Sequence, residues 1–148
     1  VAAANAVLVH AGADYDKQLH YAAKNHGIEV QSLGLLSPQE SFARMHELDI
    51  LAMVLPDDPS WAYCRTQKLA EYLAARRPIL AFIPPGEASE LIEAHDAGIS
   101  VSHSDSKSAI EAIRTLAQRD VTNRKPPPDL SWESQIENLA RFLDQIIS

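Results

Sequence analysis

Two uninterrupted apolar runs, Ile50-Leu51-Ala52-Met53-Val54-Leu55 and Pro78-Ile79-Leu80-Ala81-Phe82-Ile83, constrain this chain more than any other feature. A strand with one face in water alternates apolar and polar residues. A run without alternation predicts a strand buried on both faces, as in the centre of a parallel sheet. Parallel neighbours cannot be joined by a tight turn. They need a crossover, usually a helix. The segment between the two runs supplies one: Thr66–Arg76 places Leu69, Tyr72 and Leu73 on one helical stripe.

The same alternation extends along most of the chain. Ala6–His10, Ile28–Leu33 and Ile99–Ser102 read as further strands. Asp16–His26 carries Leu19, Ala22 and Ala23 on one stripe and stops at Gly27, a residue suited to a helix C-terminus. Ser37-Pro38-Gln39-Glu40 opens a helix with a capping box, and Phe42 and Met45 are expected to face inward. Glu87–Ala97 stops before Gly98, and Asp105–Gln118 repeats the stripe with Ile110, Ile113, Leu116 and Ala117. The expected fold over residues 1–125 is therefore α/β: a Rossmann-like, three-layer α/β/α domain with a mainly parallel sheet of about five strands. The tail differs. Arg124-Lys125-Pro126-Pro127-Pro128 reads as a stiff linker. Residues 126–148 thus hold the end of that linker and a closing helix, capped by Ser131, with Ile136, Leu139, Ala140, Leu143, Ile146 and Ile147 on its stripe.

Composition narrows the function classes. At 148 residues and 46% hydrophobic, the chain can bury a core and is too aliphatic for disorder. Its longest apolar runs are too short to span a membrane. A net charge of −7 disfavours nucleic acid, whose phosphates need a basic surface. The single cysteine, Cys64, excludes a disulfide framework and a cysteine-based zinc site. Of the six histidines, no two stand three or four apart on one helix, so no metal is expected. The balance suits a soluble cytoplasmic protein. The first residues, Val1-Ala2-Ala3-Ala4-Asn5, show neither an initiator Met nor a signal region, and the chain reads as part of a longer protein.

Phosphate-loop, Gly-x-Gly-x-x-Gly and Gly-x-Ser-x-Gly signatures are absent from the sequence. His10 ends the first expected strand, at the sheet edge where ligands bind, although an ordinary strand-end residue is the better account of it. The informative segment is Arg65-Thr66-Gln67-Lys68-Leu69-Ala70-Glu71. Arg65 and Thr66 fall at a helix start, where free N–H groups and the helix dipole favour an anion. The Glu71 carboxylate has two acceptor oxygens and can take hydrogen bonds from two vicinal hydroxyls. Diphosphate at the helix start with ribose on Glu71 would bind a nucleotide. Equally, Lys68 and Glu71 are three apart and can form a solvated ion pair worth about 0.2–0.5 kcal/mol.

Lys68-Leu69-Ala70-Glu71-Tyr72-Leu73-Ala74-Ala75-Arg76-Arg77-Pro78-Ile79-Leu80 resembles the Lys-Leu-x-Glu-Tyr-Leu-Ala-x-x-x-Pro-(Ile/Val)-Leu segment of group 1 glycosyltransferases, family 4, which have the two-domain GT-B architecture. Weaker similarities follow in order: Ala6–Gly12, Leu33–Glu40, Met45–Leu55, Ala97–Val101 and Ser131-Trp132-Glu133. The resemblance covers roughly residues 6–147. It implies that Glu71 binds the ribose hydroxyls of a nucleotide-sugar, and that Thr66, Gln67 and Lys68, beside Arg65, lie along its diphosphate. It further implies that the Leu35 loop meets the base and that Gly12 lets the chain pass close to the donor.

The implied reaction is sugar transfer, with retention, from a nucleotide-sugar to an acceptor hydroxyl, without a metal or other cofactor. The implied partner is an N-terminal acceptor domain outside these residues, and the donor half alone is expected not to turn over. Two positions depart from the family pattern. The residue eight before Glu71, where the family has its first carboxylate, is Tyr63, and Trp61-Ala62-Tyr63-Cys64-Arg65 has no glycine. These departures keep two other readings open: a non-catalytic nucleotide-binding or protein-interaction module of the same fold, and a fragment of a nucleotide-sugar epimerase.

Overall fold

The computed structural model describes residues 6–13, 16–120, 128 and 131–147. It is an α/β protein whose residues gather into two compact units, Val1–Arg44 and Met45–Ser148.

In the first unit, β1 (Val7–His10) pairs in parallel with β2 (Glu29–Ser32), and α1 (Asp16–Asn25) joins them. Helix α1 ends as its sequence predicts. Gly27 takes left-handed backbone at φ 66°, the Ile28 N–H donates to the Ala23 carbonyl, and the Gly27 N–H donates to Lys24. These are the paired bonds of a Schellman stop. The next helix, α2 (Pro38–Glu47), starts on the expected capping box. The Glu40 N–H donates to the Ser37 hydroxyl, and Glu40 Oε2 accepts from the Ser37 N–H at 2.9 Å and from its hydroxyl at 2.7 Å. Those bonds favour the ionised carboxylate and hold Glu40 below its ordinary value of 4.5, the Ser37 hydroxyl contributing most. Phe42 is exposed, contrary to its expected inward position, while Met45 is buried.

The second unit holds a three-stranded parallel sheet in the order β3 (Leu51–Val54), β4 (Ile79–Phe82), β5 (Gly98–Val101). The five expected strands all form, but in sheets of two and three rather than in one. An apolar run states that a strand is buried. It does not state which strand lies beside it.

Helices α3 (Gln67–Ala75) and α4 (Glu87–Ala94) pack on one face of this sheet, where Leu69, Leu73, Ala88 and Ile92 meet Met53, Leu55, Ile79, Ala81 and Ile83. Helix α5 (Ser106–Ala117) covers the other face through Ala109, Ala112 and Leu116, against Leu80 and Val101. Alternate residues of β4 thus serve opposite cores. Strand β3 departs from its prediction: Leu51 and Met53 are buried, but Ala52 is exposed and Val54 is 66% exposed. Helix α5 also packs about one residue out of phase with its expected stripe. Ala109, Ala112 and Leu116 point inward, leaving Ile110 and Ile113 at the surface. The small alanines let the helix approach the sheet closely, which two isoleucines would prevent.

Helix α4 stops at Ala94, before Gly98, because Asp96 takes the left-handed turn at φ 46°. Helix α6 (Trp132–Ile147) forms as expected, with Ser131 accepting from the Ser134 N–H at 3.2 Å. Ile136, Leu139, Phe142 and Leu143 lie exposed along it. The linker residues 124–127 lie outside the described residues. Among the described residues, no helix is long and apolar enough to cross a membrane.

Two outcomes test this architecture. A Cβ on Gly86 would stand 2.1 Å from the Ala62 carbonyl oxygen, a backbone atom that cannot swing aside. Gly86→Ala is expected to lower stability by more than about 1 kcal/mol, the central value for point substitutions, in urea unfolding. Because the Glu40 carboxyl is depressed, its capping contribution is present above the unfolded value and is lost as pH falls through the folded one. Carboxyl NMR titration is expected to show the Glu40 midpoint rising in Ser37→Ala.

Candidate functional site

A helix that links two parallel strands runs antiparallel to them, so it begins at the carboxyl edge of the sheet. The amino ends of α3, α4 and α5 therefore gather over the carboxyl ends of β3, β4 and β5. Open α/β sheets bind their ligands at this edge.

The approach to α3 is a single 3₁₀ turn, Pro59–Tyr63. Asp58 caps it by accepting from the Ser60 N–H at 2.8 Å, and the Ser60 bonds hold the Asp58 carboxyl below its ordinary 3.8. Gly86, the residue before α4, lies against the Ala62 backbone and carries this turn close to the start of α4. Arg65 extends the connection: its Nε donates to Glu87 Oε2 at 2.6 Å, joining the starts of the two helices.

Thr66 is the N-cap of α3, its hydroxyl accepting from the Leu69 N–H at 3.2 Å. Gln67 and Lys68 occupy the first turn and are exposed. One turn further, Glu71 Oε2 accepts from Lys68 Nζ at 2.7 Å, with side-chain exposures of 32% and 53%. The solvated ion pair open to the sequence is therefore formed. Both partners remain accessible, and an exposed pair of this kind is weak enough to exchange for a ligand.

Behind them, the half-buried Tyr72 donates its hydroxyl to the Ala52 carbonyl at 3.2 Å. Burial pushes its phenol above the ordinary 10.0; the Lys68 charge opposes this rise and the Glu71 charge adds to it.

Five of the expected site residues, Arg65, Thr66, Gln67, Lys68 and Glu71, thus come together along the first turns of α3. The other two belong to the Val1–Arg44 unit. The Gly12 N–H donates to the Gly34 carbonyl at 2.9 Å, closing the exits of β1 and β2 on each other. Leu35 follows in that exit and is 81% exposed. His10, at the end of β1, offers its carbonyl to the Leu33 N–H at 2.8 Å.

Sequence reasoning passed over a second cluster at the same edge of the larger sheet. His103, in the loop after β5, places Nε2 2.7 Å from the Leu55 carbonyl oxygen and Nδ1 3.9 Å from Asp57 Oδ1. Its ring also lies beside Phe82, with centroids 6.3 Å apart. The loops after β3 and β5 are thereby tied across the end of β4. The signal was faint: Ser102-His103-Ser104-Asp105 looks only like a polar turn ahead of a helix, a role Asp105 does fill by accepting from the Ser108 N–H at 3.0 Å.

Among the described residues, no three His, Cys, Asp or Glu side chains are grouped so as to hold a metal ion. Comparison with family models, curated proteins and solved structures returns no match to this chain.

Removing the α3 cap in Thr66→Ala is expected to cost about 1 kcal/mol in denaturant unfolding. Lys68→Ala is expected to raise the Tyr72 phenol midpoint further, because it removes the opposing positive charge; ultraviolet titration of the variant against the parent checks this.

Proposed function

We propose that the chain is the Rossmann-like, donor-binding domain of a nucleotide-sugar glycosyltransferase similar to group 1, family 4. The observation that carries this reading is the position of α3. Arg65, Thr66, Gln67 and Lys68 stand at its amino end, at the carboxyl edge of a parallel sheet, and Glu71 lies one turn further along. A diphosphate at the helix start meets backbone N–H groups, the helix dipole and two cationic side chains. A ribose beyond it reaches the Glu71 carboxylate, whose paired oxygens suit vicinal hydroxyls.

In sugar transfer, negative charge develops on the departing diphosphate. Groups fixed at a helix start stabilise that charge with little rearrangement, and no metal is required in this scheme. Arg65 and Lys68 then exchange Glu87 and Glu71 for phosphate oxygens. Glu71, released from Lys68, is free to accept from the ribose. The acceptor hydroxyl comes from a partner domain, so the donor domain alone binds without turning over.

A second reading has its own support. Thr66 is committed to a cap, Lys68 to Glu71 and Arg65 to Glu87, and Tyr63 stands where a carboxylate is expected. That arrangement suits a non-catalytic module whose polar groups serve the fold.

Calorimetric titration of UDP, GDP and ADP separates the two. The donor reading expects one base to bind at about 1 mM, close to −4 kcal/mol, with binding lost in Glu71→Ala. Binding by none of the three, or binding that Glu71→Ala leaves unchanged, would sink the donor reading.

A further inference from the structure

The larger sheet ends on one side at β5, and among the described residues no strand pairs with its far edge. The register shows what that edge offers. In a parallel ladder, alternate residues turn their N–H and C=O toward one neighbour, and the residues between turn theirs the other way. The Ile79 N–H donates to the Ala97 carbonyl at 3.0 Å, and Ile79 stands opposite Gly98. Ala97, Ile99 and Val101 therefore face β4, and Gly98 and Ser100 turn their backbone groups outward. We infer that this edge binds an extended, basic peptide segment of a partner protein, which adds to the sheet as a strand beside β5.

Three observations lead there. The first is that the edge is unguarded. Sheet edges are commonly blocked by proline, by charged side chains or by a bulge. Strand β5 reads Gly98-Ile99-Ser100-Val101, with no proline and no charge, and its register against β4 is unbroken. The opposite edge of the sheet is partly taken. Ala52 turns outward from β3, and its carbonyl accepts from the Tyr72 hydroxyl.

The second is room. A cleft of about 350 Å³ lies along the β5 edge, lined by Gly98, Ile99 and Ser100, by Glu93 and Asp96, and by Arg119 beyond α5. Both residues whose backbone points outward stand in its wall. A segment lying there finds main-chain partners and space for the side chains it turns toward α4. Strand addition takes its affinity from such main-chain bonds and its selectivity from alternate side chains.

The third is charge. In the lining, two acids, Glu93 and Asp96, stand against one base, Arg119, which leaves −1. Arg119 is already committed: its Nη1 donates to Asp96 Oδ1 at 2.9 Å and to the Asp96 carbonyl at 3.2 Å. Glu93 is exposed, and α4 carries Glu87 and Glu90 besides, with no lysine or arginine. A lysine or arginine at alternate positions of the incoming segment meets this acidic flank. An acidic segment would be repelled, and a second copy of this chain would bring its own acidic α4 to the same edge. Arg119 is the positioning residue. By bonding Asp96 on the left-handed turn between α4 and β5, it holds the entry to the edge strand in place before any partner arrives.

This surface uses no residue of α3 and no nucleotide, so it goes beyond the donor reading and fails separately from it. The test is ¹H–¹⁵N NMR with amide hydrogen exchange of the labelled chain, using synthetic capped peptides. One is Thr-Lys-Val-Lys-Val-Lys-Thr. The second has glutamate for each lysine. Two more are the basic peptide N-methylated at its lysines or at its valines, so that one or other row of backbone donors is blocked. The basic peptide is expected to move the Gly98 and Ser100 amides saturably and to slow their exchange about tenfold or more. One of the two N-methylated forms loses that binding, and the acidic peptide does not bind. Glu93→Arg, an exposed change, is expected to weaken the basic peptide about fivefold, as an attractive surface pair becomes a repulsive one. Lys68→Ala leaves it unchanged. The inference is overturned if the basic peptide protects neither amide, if both N-methylated forms bind as the unmodified peptide does, or if the acidic peptide binds equally. Protection of the two amides before any peptide is added would put another part of this chain, or a second copy, on the edge and would overturn it as well.

Discussion

Strand β4 is the element on which the larger unit depends. Ile79 and Ala81 are wholly buried beneath α3 and α4, and Leu80 is buried beneath α5. A strand covered on both faces in a parallel ladder has its register constrained twice. Slipping it by one residue would exchange the side chains of the two cores, and the volumes would no longer fit. With β4 held, β3 and β5 take their places on either side of it, and every crossover helix must begin at the same edge. The expected site residues of α3 collect there because the backbone has no other place to start its helices.

That edge is built from short polar links. Thr66 caps α3, Asp105 caps α5, and Gly86 lets the turn before α3 press on the start of α4. Arg65–Glu87 and His103–Leu55 join neighbouring loops across the strand ends. Each bond is worth little alone, since most lie in or near water. Together they limit how far the loops can move, and they hold Arg65, Lys68 and Glu71 along the start of α3.

Much of this was legible in the residues, because local signals are short-ranged. The capping box of Ser37 and Glu40, the stop at Gly27 and the Thr66 start of α3 each depend on neighbours within a few positions. The segments from Arg65 to Glu71 could be placed on one helix for the same reason. Other features resisted. Ile110 and Ile113 outweigh Ala109 and Ala112 on any hydrophobic count, yet the alanines face the sheet because only small side chains permit close approach. Val54 belongs to a run with no polar residue and is still exposed. Asp96 takes a backbone angle that a glycine was expected to supply. His103 and Asp57 lie 46 positions apart in sequence, and nothing local connects them.

By itself the sequence determined where the strands and helices form, how most of the helices begin and end, and that the strands of the larger sheet run parallel. Periodicity and capping act over one or two turns, and crossover lengths follow from chain geometry. Only the tertiary structure decided which strands share a sheet, which flank of α5 is buried, and that His103 reaches Leu55 and Asp57 across the end of β4. Those outcomes depend on volumes and distances between segments remote in the chain, where fitting two surfaces together decides more than the polarity of either one.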